Sequence, residues 1–515
     1  MTNPTSAIRM LITYVICIPI ALIVGYLITD PMDYSTLGFL AAIFTLLLSP
    51  FFIQWNYTIL IFSLACPATC FFLFSKPPLG QVVVVLSLFV AVTGGIISTQ
   101  KRFLRVPVMI WPMLFIAGVV YMTARLNGGI SFHSAGDAGG GGKKYIQVLI
   151  GIATYFAVTS QVVPPEKRSF YLKLFYLTPM VGVIGDLAYF LPGPLRVVNL
   201  MFPSHLNLEE GVVIGTSRLG ALAGMGSSLI GFLLVRYGLR GILSVQHLWR
   251  PLLFVCAMVA ILLGGYRNMF AGMAVTLVLI FFLSGLHRSR LVPALMLIGV
   301  LLVTVLATCS NKLPYTIQRS MCFLPLKWDS AVVLEAQGSS EWRFQIWRAT
   351  WPTVPQYLLL GRGFNIPQDD FESMGGGTFA NAKVVDPGQN PLAMSNDFHS
   401  GPLSTLVPFG IWGGIGIVWL MGAGLFVTYR NFRYGEPDLY HFNVYMFAGF
   451  IYGIFGFFFV FGGFNAAVGD FGCMAGWSIA MNGRVGRPEP KLAVNPRIKP
   501  LPVAPMPIAN RPIPI

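Results

Sequence analysis

Residues Leu252 to Leu286 read LLFVCAMVAILLGGYRNMFAGMAVTLVLIFFLSGL, an apolar run interrupted only at Gly264-Gly265-Tyr266-Arg267-Asn268. As a single helix rising about 1.5 Å per residue, it would overshoot a bilayer core of about 30 Å. As two helices joined by a tight Gly-Gly turn, it crosses and returns. The choice sets the side of every later connector. One helix would put Arg288/Arg290 and Arg430/Arg433 opposite the earlier basic connectors, against the bias of cations toward the cytoplasm. Two helices keep them together and leave Arg267 at the outer surface.

The rest of the chain is of the same kind. Its 515 residues are 55% hydrophobic and 10% charged, where a soluble chain carries roughly 25% charged residues. Mean hydropathy is +0.71. The sequence therefore predicts an all-α polytopic membrane protein, with about 14 transmembrane helices and one large extracytoplasmic loop. Eleven spans are expected in residues 1–308: Met10–Ile28, Thr36–Phe51, Trp55–Phe74, Gln81–Ser98, Val106–Ala124, Tyr145–Val163, Phe170–Leu191, Arg218–Val235, Leu252–Gly265, Asn268–Leu286 and Leu291–Thr308. The large loop takes residues 309–401. Leu403–Tyr429, Tyr440–Phe461 and Ala466–Met481 follow in 402–482, and a Pro-rich cytoplasmic tail occupies 483–515.

With the N-terminus inside, the cytoplasmic connectors carry Lys101/Arg102/Arg105, Lys167/Arg168, Arg236/Arg240/Arg250, Arg288/Arg290 and Arg430/Arg433. This distribution accounts for the formal charge of +15 as a topology signal, so no nucleic-acid partner is implied. The seven cysteines include no CxxC pair and no Cys/His set at metal-ligand spacing, so neither a disulfide scaffold nor a metal site is expected. Cys309 and Cys322 share the large loop, where a disulfide and two free thiols are both open.

Three features of the outer side could carry chemistry. The first is the run Glu341-Trp342-Arg343-Phe344-Gln345-Ile346-Trp347-Arg348, expected to begin a helix capped by Ser339 or Ser340 and ended by Pro352 and Pro355. The spacing places Arg343, Trp347 and Trp351 on one face. An interfacial helix with tryptophans at headgroup level would look the same. The second feature is the set Arg218, Arg267 and Arg343, which the positive-inside bias disfavours on this side. Arginine binds phosphate bidentately and keeps its charge, which suits a lipid diphosphate. Ion pairs with Glu209, Asp370 or Asp186 are the structural alternative. The third is His399 in Asn396-Asp397-Phe398-His399-Ser400, just ahead of the span at Leu403. Histidine is the usual general base for a hydroxyl, with Asp397 placed to orient it, although a lone histidine is more often structural.

The order Arg343-xxx-Trp347-x-Ala349, Gly361-Arg362-Gly363, His399-Ser400, Leu403 and Pro408-Phe409-Gly410 resembles the O-antigen ligase superfamily. That superfamily includes O-antigen ligases, Wzy-type polysaccharide polymerases and bacterial protein O-oligosaccharyltransferases. Arg218-Leu219-Gly220 and Gly265-Tyr266-Arg267-Asn268 resemble two further family segments, and the similarity runs from about Arg218 to Leu425. Ser400 departs from the family's usual asparagine. The resemblance implies a multi-pass protein of the bacterial inner membrane with its active site facing the periplasm. It implies a glycosyltransferase that takes its glycan from an undecaprenyl-diphosphate-linked donor, without metal or other cofactor. The acceptor would be a growing glycan, lipid A core or a protein.

On this reading His399, Arg267 and Arg218 are catalytic, while Arg343, Trp347, Arg348 and Asp397 bind substrate. Two rivals remain. A lipid-linked-glycan flippase would keep ionisable groups at mid-membrane, where Asp186 is the main candidate. A peptidoglycan polymerase of the shape-and-division type would depend on Asp369, Asp370 or Asp397. The cluster Asp369-Asp370-x-Glu372 could also overturn the expectation of metal-free transfer.

Overall fold

In a computed structural model, the helices follow the expected spans with one merger. Residues 34–73, 76–97, 103–127, 141–191, 193–204, 206–208, 217–290, 292–364 and 398–488 are described, with scattered positions between 18 and 25. Helices α1 (Tyr34–Ala65), α2 (Leu79–Ile97), α3 (Pro107–Asn127) and α4 (Gly141–Val158) lead to a broken pair, α5 (Arg168–Leu177) and α6 (Val183–Tyr189). A short antiparallel ribbon of β1 (Leu206–Leu208) and β2 (Ser217–Leu219) precedes α7 (Gly220–Ile242). Then come α8 (Trp249–Leu263), α9 (Arg267–Leu283) and α10 (Val292–Cys309). Helices α11 (Tyr315–Met321) and α12 (Ser330–Thr350) lie in the long connector, and α13 (Leu403–Tyr434), α14 (Tyr440–Phe459) and α15 (Phe464–Asn482) close the bundle.

The deciding stretch is two helices. Gly264 and Gly265 separate α8 from α9, with Gly265 at φ +74° in the left-handed region that glycine favours. Gly264 is buried, and a Cβ there would stand 2.4 Å from the Ala223 Cβ of α7, so the turn is pressed against its neighbour.

The merger lies earlier. The expected spans Thr36–Phe51 and Trp55–Phe74 form the single helix α1, which continues through Pro50 to Ala65. Phe52-Ile53-Gln54 offers no turn-forming residue, and an apolar helix tolerates one proline where its packing makes up for the missing hydrogen bond. One crossing is lost, so counting from the N-terminus no longer sets the sides. Most of the first expected span and the tail beyond residue 488 fall outside the described residues.

Seven helical segments among the described residues are long and apolar enough to cross a membrane: Leu79–Ile96, Pro107–Asn127, Pro165–Tyr189, Gly220–Ile242, Leu295–Lys312, Leu403–Tyr434 and Pro437–Phe459. Helices α8 and α9 are shorter but apolar. Helix α15 is more polar, carrying Asn465, Asp470, Ser478 and Asn482, and much of it is buried. It packs against α4 through glycines: a Cβ on Gly151 would lie 2.9 Å from the Gly469 Cα. Small residues let helix backbones approach this closely.

Contacts between connectors sort the helix ends into two groups. At one end, the Leu104 amide donates to the Thr159 carbonyl (3.1 Å), the Val163 amide to the Ala480 carbonyl (3.0 Å), and Arg168 pairs with Asp438 (2.7 Å). Arg105, Arg250 and Arg430 share that end. At the opposite end, the Thr69 amide donates to the Met201 carbonyl (2.8 Å), the Ser320 hydroxyl to the Leu262 carbonyl (2.9 Å), and the Gly401 amide to the Phe457 carbonyl (3.2 Å). For the helix ends they join, these contacts agree with the up-and-down order expected from the cations. The long connector lies over the end opposite the cationic one.

Helix α12 begins ten residues before the expected cap. Asp329, not Ser339 or Ser340, is the N-cap, its carboxylate accepting from the Ala331 amide at 2.8 Å. Ser340 lies inside the helix and turns its hydroxyl back to the Ala336 carbonyl (3.1 Å). The expected end is observed: α12 stops at Thr350, and Pro352 and Pro355 each fall in the first turn of a short helical segment that follows.

Candidate active site

Arg267 is the first residue of α9, set there by the glycine turn. Its charge reaches the Cys322 thiol just beyond α11. With Cys322 it lines a cleft of about 560 Å³, whose opposite wall is a face of α12 carrying Ala336, Gln337, Glu341 and Phe344. The Cys322 thiol feels two opposed influences. Burial pushes its pKa up, and the Arg267 charge pulls it part of the way back.

Arg343 comes to the same place from α12. Burial lowers its pKa, and so does the like charge of Arg267. Two guanidiniums are thus held within one another's field. The Arg343 Nε is buried and has no hydrogen-bond partner among the described residues. Arg168 and Arg250 also leave an Nε unbonded, but other nitrogens of theirs reach Asp438 and the Gly241 carbonyl.

A contrasting arginine stands one turn of fold away. Arg319 of α11 is buried and meets Glu335 of α12 at 2.6 Å, and the Tyr315 hydroxyl also bonds that carboxylate. This pair clamps the two helices of the connector together. A helix capped at Ser339 or Ser340 would exclude Glu335, so the sequence alone does not point to this pair. The signal was Asp329 followed by Ser330, a helix-capping pattern.

His399 sits just ahead of α13. Its ring stands edge-on to Trp342 of α12 (centroids 5.3 Å apart) and to Phe461 beyond α14 (4.8 Å). Its φ of +50° is uncommon for a side chain with a Cβ. The turn is pinned on both sides. The Trp347 indole N–H donates to the Phe398 carbonyl (2.8 Å), and the Gly401 amide donates to Phe457. Trp342 and Trp347 thereby fix the histidine turn, and they pack with Ile346, Phe398, Leu403 and Val407. Arg348 and Trp351 are exposed.

The two glycine-containing motifs meet in space. The Arg362 amide donates to the Val407 carbonyl (2.8 Å), the Gly363 amide to Pro408 (2.9 Å), and the Ile411 amide to Leu358 (2.7 Å). Helix α13 kinks at Gly410, where φ is +61° and a Cβ would fall 2.5 Å from the Leu358 carbonyl oxygen. Gly361-Arg362-Gly363 is thus lashed along Val407–Ile411, which ties the connector to the helix that His399 precedes.

Arg218 is placed by backbone alone. It lies in β2 opposite Asn207, and the Leu219 carbonyl oxygen would be 3.3 Å from a Cβ on Gly264. The Arg218 segment therefore abuts the turn that presents Arg267. Asp186 accepts from the Ala221 amide (3.2 Å) and the Ser204 hydroxyl (3.3 Å), so it holds the start of α7. Asp397, Asp369, Asp370 and Glu372 fall outside the described residues. Cys309 and Cys322 are free thiols.

The structure thus gathers Arg267, Arg343 and His399 around α12, with the Arg218 strand beside them. Residues 252–418, about a third of the chain, match the family model described as O-antigen ligase. The similarity to that superfamily is supported over this segment, which contains Arg267, Arg343 and His399; Arg218 lies before it. No curated protein matches the chain.

Proposed function

We propose that the chain transfers a glycan from an undecaprenyl-diphosphate-linked donor to an acceptor hydroxyl, at the periplasmic face of a bacterial inner membrane. His399 takes the proton of the acceptor hydroxyl as its oxygen bonds to the anomeric carbon of the donor sugar. The bond from that carbon to the diphosphate oxygen breaks, and undecaprenyl diphosphate leaves carrying the electron pair. Arg267 and Arg343, with Arg218 from the adjoining strand, hold the diphosphate and stabilise the charge that grows on it. Trp347 positions the histidine turn, and no metal or other cofactor is required by this scheme.

The observation that supports the reading is that Arg343 stands within the field of Arg267 on α12, the helix whose Trp342 packs on His399. Two like charges held together, one with an unbonded buried nitrogen, cost stability in the empty protein. A diphosphate relieves that repulsion in the bound state. The flippase reading is weakened by Asp186, whose carboxylate holds the α7 terminus.

The test is glycan transfer in membranes by His399→Ala and Arg267→Ala. Removal of a general base or of an electrostatic stabiliser lowers turnover by about 100-fold or more. Full transfer by both variants at normal protein level would sink the proposal.

A further inference from the structure

We infer that the long connector is itself docked in the membrane. Leu358-Leu359-Leu360 enter the leaflet opposite the cationic connectors and lie against the acyl chains of the surrounding phospholipid. The inference goes beyond the functional reading above and does not depend on it. The tripeptide follows the short helical segment that ends at Tyr357, and it is strongly exposed, Leu359 at 70% and Leu360 at 63%. Contiguous exposed leucines mark a surface that meets an apolar partner.

Depth selects that partner. Helix α3 has 21 residues, about 31 Å at 1.5 Å per residue, which matches the thickness of the hydrocarbon core. Its end at Asn127 therefore marks the edge of that core. A Cβ on Gly363 would stand 3.0 Å from the Asn127 Cβ, so Gly363 is level with this edge. Leu359 and Leu360 lie deeper. They wall an apolar groove of about 410 Å³ together with Phe115, Met122 and Leu126 of α3 and Trp412 of α13. Met122, Leu126 and Trp412 are themselves exposed on helices that span the membrane. The leucines continue a face that the bilayer already covers, and acyl chains fill the space at that depth.

Backbone pairing supports the same placement. In hydrocarbon an irregular segment is tolerated only where its polar groups find partners within the protein. Helix α13 is interrupted by Pro408 and by the kink at Gly410, which parts the Ile411 amide from the Val407 carbonyl that a regular helix would give it. The connector takes up both groups. The Leu358 carbonyl accepts from the Ile411 amide (2.7 Å), and the Arg362 amide donates to the Val407 carbonyl (2.8 Å). The Tyr357 carbonyl accepts from the Gly361 amide (2.8 Å). Gly361 has φ +70°, and a Cβ there would collide with the Pro408 carbonyl, so the segment is pressed closely on the kink. A broken span and the loop that dips beside it satisfy one another. Because these bonds reach the first turns of α13, the bilayer also fixes the height of the turn that carries His399.

Full-length protein in nanodiscs holding one copy would be irradiated with two phosphatidylcholines, one with a diazirine midway along an acyl chain and one with it on the headgroup. A water-soluble diazirine is the third probe. Trypsin releases Ala349–Arg362 as one peptide, and tandem mass spectrometry places the label within it. The expected result is acyl-probe labelling of Leu359 and Leu360 at the level seen for the exposed Val418 and Trp419 of α13, with little from the other two probes. Labelling by the water-soluble or headgroup probe in place of the acyl probe would lift the tripeptide out of the hydrocarbon and overturn the inference. Acyl labelling in nanodiscs but not in native membranes would assign the patch to a second copy or another protein, and overturn it as well. Leu359→Asp combined with Leu360→Asp should cut acyl labelling of the peptide about tenfold, since hydrocarbon expels aspartate. Leu359→Ile combined with Leu360→Met should label as the parent does. Equal labelling of the two double variants would show that the leucines are not the anchor. The measurement on the parent stands even where the aspartate variant fails to fold. Docking needs no turnover, so His399→Ala should label as the parent, and failure of the functional reading in the transfer assay is separable from failure of this one.

Discussion

The two ends of the bundle use arginine differently. At the cationic end, Arg168 meets Asp438 at 2.7 Å, the Arg430 Nε donates to the Gly486 carbonyl at 2.9 Å, and Arg250 bonds Gly241 over the Tyr237 ring. Each of these three guanidiniums is engaged by groups of the protein itself. At the other end Arg319 is treated in this way, and the Arg196 Nε donates to the Leu191 carbonyl at 3.3 Å. Arg267 and Arg343 oppose one another; among the described acids Glu335 pairs with Arg319, Asp186 holds the start of α7, and Glu341 lines the Arg267 cleft. Arginines that have partners hold helices together, whereas a like-charged pair does so poorly and suits an anion from outside.

The comparison is broken most sharply at Arg319. Arg319→Ala takes the guanidinium from the Glu335 carboxylate, which is partly exposed, and the loss should cost about 3 kcal/mol, the low end for a buried pair. Arg343→Gln removes a repelling charge and should leave thermal unfolding in detergent unchanged or raised, while transfer falls. Equal destabilisation by the two variants would show that Arg343 is as structural as Arg319.

A smaller effect is expected where the connector is tied down. Gly410→Ala places a side chain at φ +61° against the Leu358 carbonyl, and strain of this kind costs about 1–3 kcal/mol. Residues 358–363 should then be cleaved faster by added protease. Gly422→Ala, on the same helix with nothing within 4 Å of its Cβ, is the matched control and should behave as the parent. Faster cleavage in both variants would dissociate the lash from Gly410.

The same division explains what the sequence could reveal. Alternation of apolar runs and basic connectors carried the helix order, because lipid imposes it on each segment separately. The Gly264-Gly265 turn was legible because glycine and the bilayer thickness point the same way there. Helix α1 was not, since nothing local distinguishes a proline accommodated in a helix from one that precedes a turn. Arg267 and Arg343 stand out as cations that the positive-inside bias disfavours on the expected outer side, and His399 as a lone histidine just ahead of a span. Their assembly around α12 was not foreseen in the same detail. It depends on a pair, Arg319 and Glu335, whose helices touch only after folding, and on a cap at Asp329 that competes in the sequence with the serines ten residues later.

The smallest effect probes the field of the opposed pair directly. Burial raises the Cys322 pKa, Arg267 lowers it and Glu335 raises it. Maleimide reacts with the thiolate, so the pH profile of alkylation at the Cys322 peptide reports that balance. Arg267→Gln removes the lowering influence, and the profile should move to higher pH. Glu335→Gln removes a raising influence and should move it to lower pH. A diphosphate ligand that neutralises Arg267 should act in the same direction as Arg267→Gln. Shifts of the same sign in both variants would mean that packing, not charge, governs the thiol. Opposite signs would show that Arg267 still projects its charge into the cleft, as a site awaiting an anion requires.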